Sequence, residues 1–201
     1  MPAFNFSASL VLEDAAVLLR PLEADDDRAL STVALGAPEV WTYTLMGADT
    51  PEGLRRYIDY ALAQRARNDA YPFVVWDKRS GRCAGSTRFY HMDFRHGVTN
   101  IGYTWYGPAF WGTGLNSHCK HLMLAHAFDA MGMERVEFRA DVLNARSIAA
   151  LRRLGAREEG VLRSHYLLPS GRRRDSLVMS ILREEWDGGV RQALSNRLLG
   201  V

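Results

Sequence analysis

Between Tyr71 and Gly107 the chain carries three β-rich runs with little sequence between them, and that spacing narrows the possible folds most. "YPFVVWD" (71–77) is followed by the turn "KRSGR", then "CAGSTRFYHM" (83–92), a polar break, and "VTNIGYTWYG" (98–107). Parallel neighbours need a crossover of a dozen or more residues, so runs this close must pair as consecutive antiparallel strands. The next stretch, 114–131, reads as a long helix. It leads to a strand at "RVEFRADV" (135–142), a helix at "NARSIAALRRLG" (144–155), and a hairpin from "VLRSHYLL" through "PSGR" to "DSLVMSIL". Before all of these come a strand at "VLLRPL" (17–22) and a helix over 23–34 with its acids in the first turn. The order implies an α/β (α+β) chain around one mixed, mostly antiparallel, twisted sheet of about seven strands flanked by helices.

The clearest helix is predicted over 50–68. Thr50 can N-cap it and Pro51 suits its first turn, while Leu54, Tyr57, Ile58, Ala61 and Leu62 form one apolar stripe. Arg55, Arg56, Asp59, Gln64 and Arg67 fall largely elsewhere on the wheel. Gly155 marks the stop of the 144–155 helix. The tail from Asp187 is weakly amphipathic and is expected either to fray or to pack on a partner.

At 201 residues, 47% of them hydrophobic, the chain suits a single domain over 1–201, with a core of about 17–186 and a tail of 187–201. Twenty-five basic and 23 acidic side chains leave a net charge of +2, which gives no reason to expect nucleic acid or an anionic membrane as partner. "GRRRD" (171–175) reads as a solvated basic turn. Cys83 and Cys119 form no Cys-x-x-Cys pattern and suggest a reducing compartment. The first 22 residues lack a basic n-region, and no apolar run reaches membrane length. The expected location is the cytoplasm.

Gly112 and Gly114 stand between the third strand of the run and the long helix. An ordinary turn would use glycines there. A helix N-terminus also presents unpaired N–H groups and partial positive charge, and glycines before it let the backbone approach an anion. The chain as a whole favours the second reading. "LLRPLEADD", "NIGYTWYGPAFWGTGLNSHCKHLMLAHAF", "RVEFRADVLNARSIAALRRLGAREEGVLRSH" and "GRRRDSLVMSILREEW" resemble, in order, a GCN5-related N-acetyltransferase (GNAT) of the ribosomal-protein N-terminal acetyltransferase (RimJ/RimL) type, over about 17–186.

The resemblance implies acetyl-CoA as co-substrate, its pyrophosphate cradled by backbone amides of Phe110, Trp111, Gly112, Thr113, Gly114, Leu115 and Asn116. It also implies a thioester carbonyl bonded by strand backbone near Tyr103, Thr104 and Trp105, where fixed donors meet a developing oxyanion. The reaction would move an acetyl group to a primary amine, of a protein N-terminus or a small molecule, by direct attack in a ternary complex. A possible homodimer follows from the same likeness. Two departures matter. Ala109 occupies the first position of the family's Gln/Arg-x-x-Gly-x-Gly/Ala pattern, and Leu151 stands where many relatives place a proton-donating tyrosine. The RimJ/RimL type has Asn-x-x-Ser instead, matching Asn144 and Ser147. Ser147 is then the candidate donor to the CoA sulfur, and Asn144 the residue fixing the cofactor arm. As plain sequence, Asn144 is also a helix cap.

For a base, alternation in "RVEFRAD" places Glu137, Arg139 and Asp141 on one face, opposite Val136, Phe138 and Ala140. Glu137 and Asp141 are candidates if that face opens to a cleft, and paired surface charges if it does not. His165 and Asp175 are further candidates, as easily structural. His118 and His121 share a helix face, but no third ligand is evident and no metal is expected. Cys119 falls on the apolar side. Lys120 reads either as a charge beside a cofactor phosphate or as a surface lysine. The alternatives from other classes are a non-catalytic acyl-CoA-binding or sensing module and a tRNA- or ribosome-associated interaction protein.

Overall fold

The computed structural model describes residues 4–200. Its strands are β1 (Leu12–Glu13), β2 (Val17–Pro21), β3 (Ala70–Asp77), β4 (Arg82–Asp93), β5 (Val98–Tyr106), β6 (Arg135–Asp141), β7 (Arg157–Leu167) and β8 (Arg173–Leu182). They form one sheet in the order β1-β2-β3-β4-β5-β6-β8-β7. Only β5 and β6 run parallel, as the intervening helix requires; every other neighbouring pair is antiparallel. The sheet has eight strands, one more than the pattern predicts. The addition, β1, pairs Leu12 with Leu19 and Glu13 with Leu18. Two residues are too few to display a period of two. They are held because Asp14 accepts the Ala16 and Val17 N–H groups at 2.7 and 2.9 Å and closes the turn.

The helices are α1 (Asp27–Ala34), α2 (Pro38–Trp41), α3 (Pro51–Ala66), α4 (Leu115–Ala125, widening into a π turn at His126–Ala130), α5 (Ala145–Leu154), α6 (Arg183–Glu185, running into a π turn at Trp186–Val190) and α7 (Arg191–Leu199). Asp27 is the only one of the 23–27 acids inside α1. Asp26, 3% exposed, accepts instead from Arg20 and from the Glu23 N–H. In α3, Leu54, Tyr57, Ile58 and Ala61 are buried as the stripe predicts, but so is Gln64. Its amide oxygen receives a bond from Arg88 at 3.0 Å, which no wheel could show. Thr50 Oγ1 accepts the Gly53 N–H at 3.1 Å. Thr50→Ala should cost about 1 kcal/mol. Thermal denaturation should show a Tm lower by roughly 2–4 °C.

Neighbouring β4 residues assign the helices to opposite faces. Tyr57 of α3 bonds Ser86 at 3.0 Å, and Gln64 reaches Arg88. Lys120 and Met123 of α4 contact Thr87 instead. Alternation along a strand therefore puts α3 on one face and α4 on the other.

As far as Gly200, beyond which it lies outside the described residues, the tail is neither frayed nor free. Trp186 is fully buried, its ring stacked 5.5 Å from Phe128. From that anchor α7 returns onto α4 of its own chain, with Leu194 buried and Ser195 Oγ 3.0 Å from His121 Nε2. Among the described residues no helix is long and apolar enough to cross a membrane.

Candidate active site

Strands β5 and β6 pair only at their beginnings, Val98 with Arg135, Thr99 with Val136 and Asn100 with Glu137. Beyond Asn100 they part. β6 stays paired with β8 through Asp141, while β5 stays on β4. The β5 side carries a bulge: Ser86 pairs with Trp105 and Arg88 with Gly102, so Thr87 faces both Tyr103 and Thr104. Tyr103 has a φ of 48°, an uncommon left-handed conformation for a bulky residue. The split sheet opens a cleft of about 610 Å³. Its wall includes Phe138 and Ala140 as well as Arg139 and Asp141, so it reaches both faces of the sheet.

On the α4 face lie most of the residues singled out for a cofactor. Tyr103, Thr104, Trp105, Phe110, Trp111, Gly112, Gly114, Asn116, Asn144 and Ser147 all line the cleft. Gly112 and Gly114 have φ of 74° and 86°, and a Cβ on either would meet open space. Backbone conformation therefore demands glycine here, and packing does not. Gly114 precedes α4 without a side-chain cap. The N–H groups of Gly112, Gly114 and Asn116 bond to no group among the described residues. Two predicted members are not on the wall. Leu115 is buried in the core, and Thr113 braces the loop by donating to the Phe110 carbonyl at 2.9 Å. Trp111 Nε1 donates to the Tyr106 carbonyl at 2.8 Å, and the Arg146 guanidinium lies 3.4 Å from the Trp111 ring centre. Asn144 caps α5, its Oδ1 accepting the Ser147 N–H at 3.0 Å, and both residues line the cleft. Leu151 is buried.

Lys120 is neither a surface lysine nor an ordinary counter-charge. It is 4% exposed, and its Nζ donates to Thr104 Oγ1 at 2.8 Å and Thr87 Oγ1 at 3.3 Å. Among the described residues no carboxylate pairs with it. Burial lowers its pKa to about 8. The lysine thus grips the bulge from below. The signal in the sequence was Lys120's place on the α4 face that also carries Asn116, Met123 and Leu124.

The opposite face redistributes the predicted bases. Glu137 is not on the cleft wall. Burial pushes its carboxyl up, but bonds from Arg135 at 3.0 Å, Arg139 at 2.6 Å and Asn100 at 2.9 Å outweigh this and hold it below the usual range. Asp141 lines the cleft with a fully buried carboxylate, accepting from the Leu143 N–H at 3.0 Å and from Arg172. Asp175 accepts the Ser164 N–H at 2.6 Å, and His165 is half-buried on β7 beside Tyr166. "GRRRD" is not simply a solvated turn. Arg173 is exposed, Arg172 pairs with Asp141, and Arg174 is 7% exposed on the cleft wall. The strand starts at Arg173, and alternation sends Arg174 inward. Buried Arg88 lies under the Tyr103 ring at 4.2 Å.

The histidines of α4 are structural: His118 Nδ1 is 2.7 Å from Asp14, and His121 meets Ser195. Among the described residues no group of three or more His, Cys, Asp or Glu is placed to hold a metal.

A parallel pair that splits beside an uncapped, glycine-led helix is the layout of an acyl-CoA-dependent transferase fold. The family model described as "Acetyltransferase (GNAT) domain" matches residues 16–157, and the chain belongs to that family. It is 34% identical to a provisionally assigned acetyltransferase from T. thermophilus, covering 98% of this chain and 100% of that one with a TM-score of 0.85. It is 29% identical over 116 residues to the "Uncharacterized N-acetyltransferase p20" of Bacillus licheniformis, spanning 58% of this chain and 64% of that protein. The fold is shared with Mycobacterium smegmatis RimJ in complex with CoA-disulfide, at 23% identity, 94% and 93% coverage and a TM-score of 0.78.

Proposed function

We propose that the protein acts as one domain that transfers the acetyl group of acetyl-CoA to a primary amine by direct attack in a ternary complex. One observation carries the reading: the free N–H groups before α4, the bulged β5 backbone and Ser147 converge on a single cleft through the sheet. Acetyl-CoA enters from the α4 face. Its pyrophosphate takes the free amides of Gly112, Gly114 and Asn116, those of Phe110 and Trp111 being held by the Gly107 and Pro108 carbonyls, and its thioester carbonyl takes the β5 backbone at Tyr103–Trp105. The amine enters from the α3 face. Its lone pair attacks the carbonyl carbon, the oxyanion is held by fixed donors, the C–S bond breaks with a hydrogen bond from Ser147 to the departing thiolate, and the proton lost from the nitrogen is taken up by that thiolate to give the free CoA thiol. RimJ, which shares the fold, holds a CoA compound in its structure, and this supports the choice of cofactor.

Direct attack is favoured over an acetyl-enzyme by the state of the thiols. Burial raises Cys83 to about 11 and Cys119 to about 12, and neither lines the cleft. The test is release of free thiol from acetyl-CoA in the presence of primary amines. Tight acetyl-CoA binding without thiol release from any amine would favour a non-catalytic acyl-CoA sensor, the reading that buried Leu151 and the ion-paired Glu137 would suit. Ser147→Ala should lower kcat by about tenfold, the worth of one hydrogen bond to a charged group, with the Kd for acetyl-CoA unchanged. A drop smaller than twofold would return Ser147 to the first turn of α5 and nothing more.

A further inference from the structure

We infer that Arg174 forms a carboxylate subsite on the acceptor side of the cleft, so that the preferred acceptor is a small amine bearing its own carboxylate, of the amino-acid class. The inference rests on the acetyltransferase reading and deepens it.

The guanidinium of Arg174 is buried on the cleft wall, yet its Nε has no hydrogen-bond partner. Its one bond among the described residues is a long one, 3.4 Å, from Nη1 to the Tyr43 carbonyl. The neighbouring charges are already matched. Arg135 and Arg139 answer Glu137 and Glu159, and Arg172 answers Asp141. Among the described residues buried Arg88 also lacks a carboxylate, but it is bonded to Gln64, covered by the Tyr103 ring and absent from the cleft wall, so Arg174 is the unpaired cation that lines this side of the cleft. Desolvation is the largest influence on it and works against its charge. The Asp141 carboxylate, already paired with Arg172, offsets this only in part, and a guanidinium so placed favours an entering anion.

The walls and charge specify the anion further. Tyr43, Tyr90 and Tyr166 line the same cleft, and Tyr166 pairs across the sheet with Arg174. Flat aromatic walls around one guanidinium fork suit a planar, singly charged carboxylate. A dianionic phosphate would bring one charge too many for the one guanidinium on this side of the cleft. A polyamine would meet a like charge, and a neutral amine would leave the guanidinium unanswered.

The experiment compares free amino acids with their carboxamides, pair by pair across the twenty side chains. Binding to the CoA-saturated protein is read by calorimetry, and kcat/KM by thiol release. At least one acid is expected to be preferred over its amide by about thirtyfold or more. In Arg174→Gln that ratio should fall to about one, and Arg174→Lys should restore part of it. Amides bound and acetylated as well as acids would overturn the inference while leaving the acetyltransferase reading intact, as would no binding by any member of the panel. Acetyl-CoA binding with no thiol release from any amine would instead defeat the acetyltransferase reading. The acid-to-amide binding ratio in the unmodified protein would still decide the subsite, and it does not depend on how the variants fold.

Discussion

Gly114→Trp should weaken acetyl-CoA binding by about three orders of magnitude in a calorimetric titration. The residue holds φ of 86° at the entrance to α4, with open space where a side chain would project. An indole there would cover the amides that the pyrophosphate needs. Charge-assisted N–H bonds to phosphate contribute about 1.5–3 kcal/mol each. Losing two of them costs about 4 kcal/mol, or a thousandfold in Kd. The fold should survive, because a Cβ there meets nothing within 4 Å and the left-handed conformation costs a non-glycine residue about 1–2 kcal/mol. Unchanged acetyl-CoA affinity in a folded variant would mean that the two glycines only make a turn.

The second large effect is on stability and runs against intuition. Lys120→Met should make the protein more stable at pH 7 by about 3 kcal/mol, although it removes two hydrogen bonds. Burial depresses the lysine from 10.5 to about 8 in the folded chain. Between those values the unfolded state binds more protons, so wild-type stability rises with pH across that window. Below pH 8 the full cost of the buried ammonium is present, about 3 kcal/mol for a shift of this size. The methionine variant escapes that cost. Thr87 and Thr104 still bond each other at 2.7 Å. Denaturant melts at pH 7 and pH 10.5 should therefore show a gap that closes as the pH rises. A variant no more stable at pH 7, or a gap indifferent to pH, would show that the lysine is not held against its charge. If the gap is found, the wild-type protein tolerates the cost for the hold on Thr104 in the β5 bulge.

Much of this was written into local sequence. Thr50 and Gly155 bounded their helices, the stripe of α3 faced inward, and the three runs over 71–107 paired antiparallel in order. Each of these depends on neighbours a few residues away, where capping, turn chemistry and periodicity act. The glycine pair and the Asn144–Ser147 spacing were legible for the same reason: a helix start is a local event. The charged residues behaved differently. Glu137, Asp141 and Lys120 each had two readings in sequence, Arg174 lay within what read as a solvated turn, and the outcome rested on partners far along the chain. Glu137 is answered by Asn100, Asp141 by Arg172, and Lys120 by Thr87 and Thr104.

By itself the sequence determined the order of elements, the mostly antiparallel sheet, the glycine-led helix and the family likeness. Only the tertiary structure decided that β5 and β6 part after Asn100, that β8 slips between β6 and β7, and that α7 returns to α4. It also decided which charges those movements bury. The reason is physical. Backbone preference and periodicity act within a turn or two, whereas the burial of an ionisable group depends on every element packed around it.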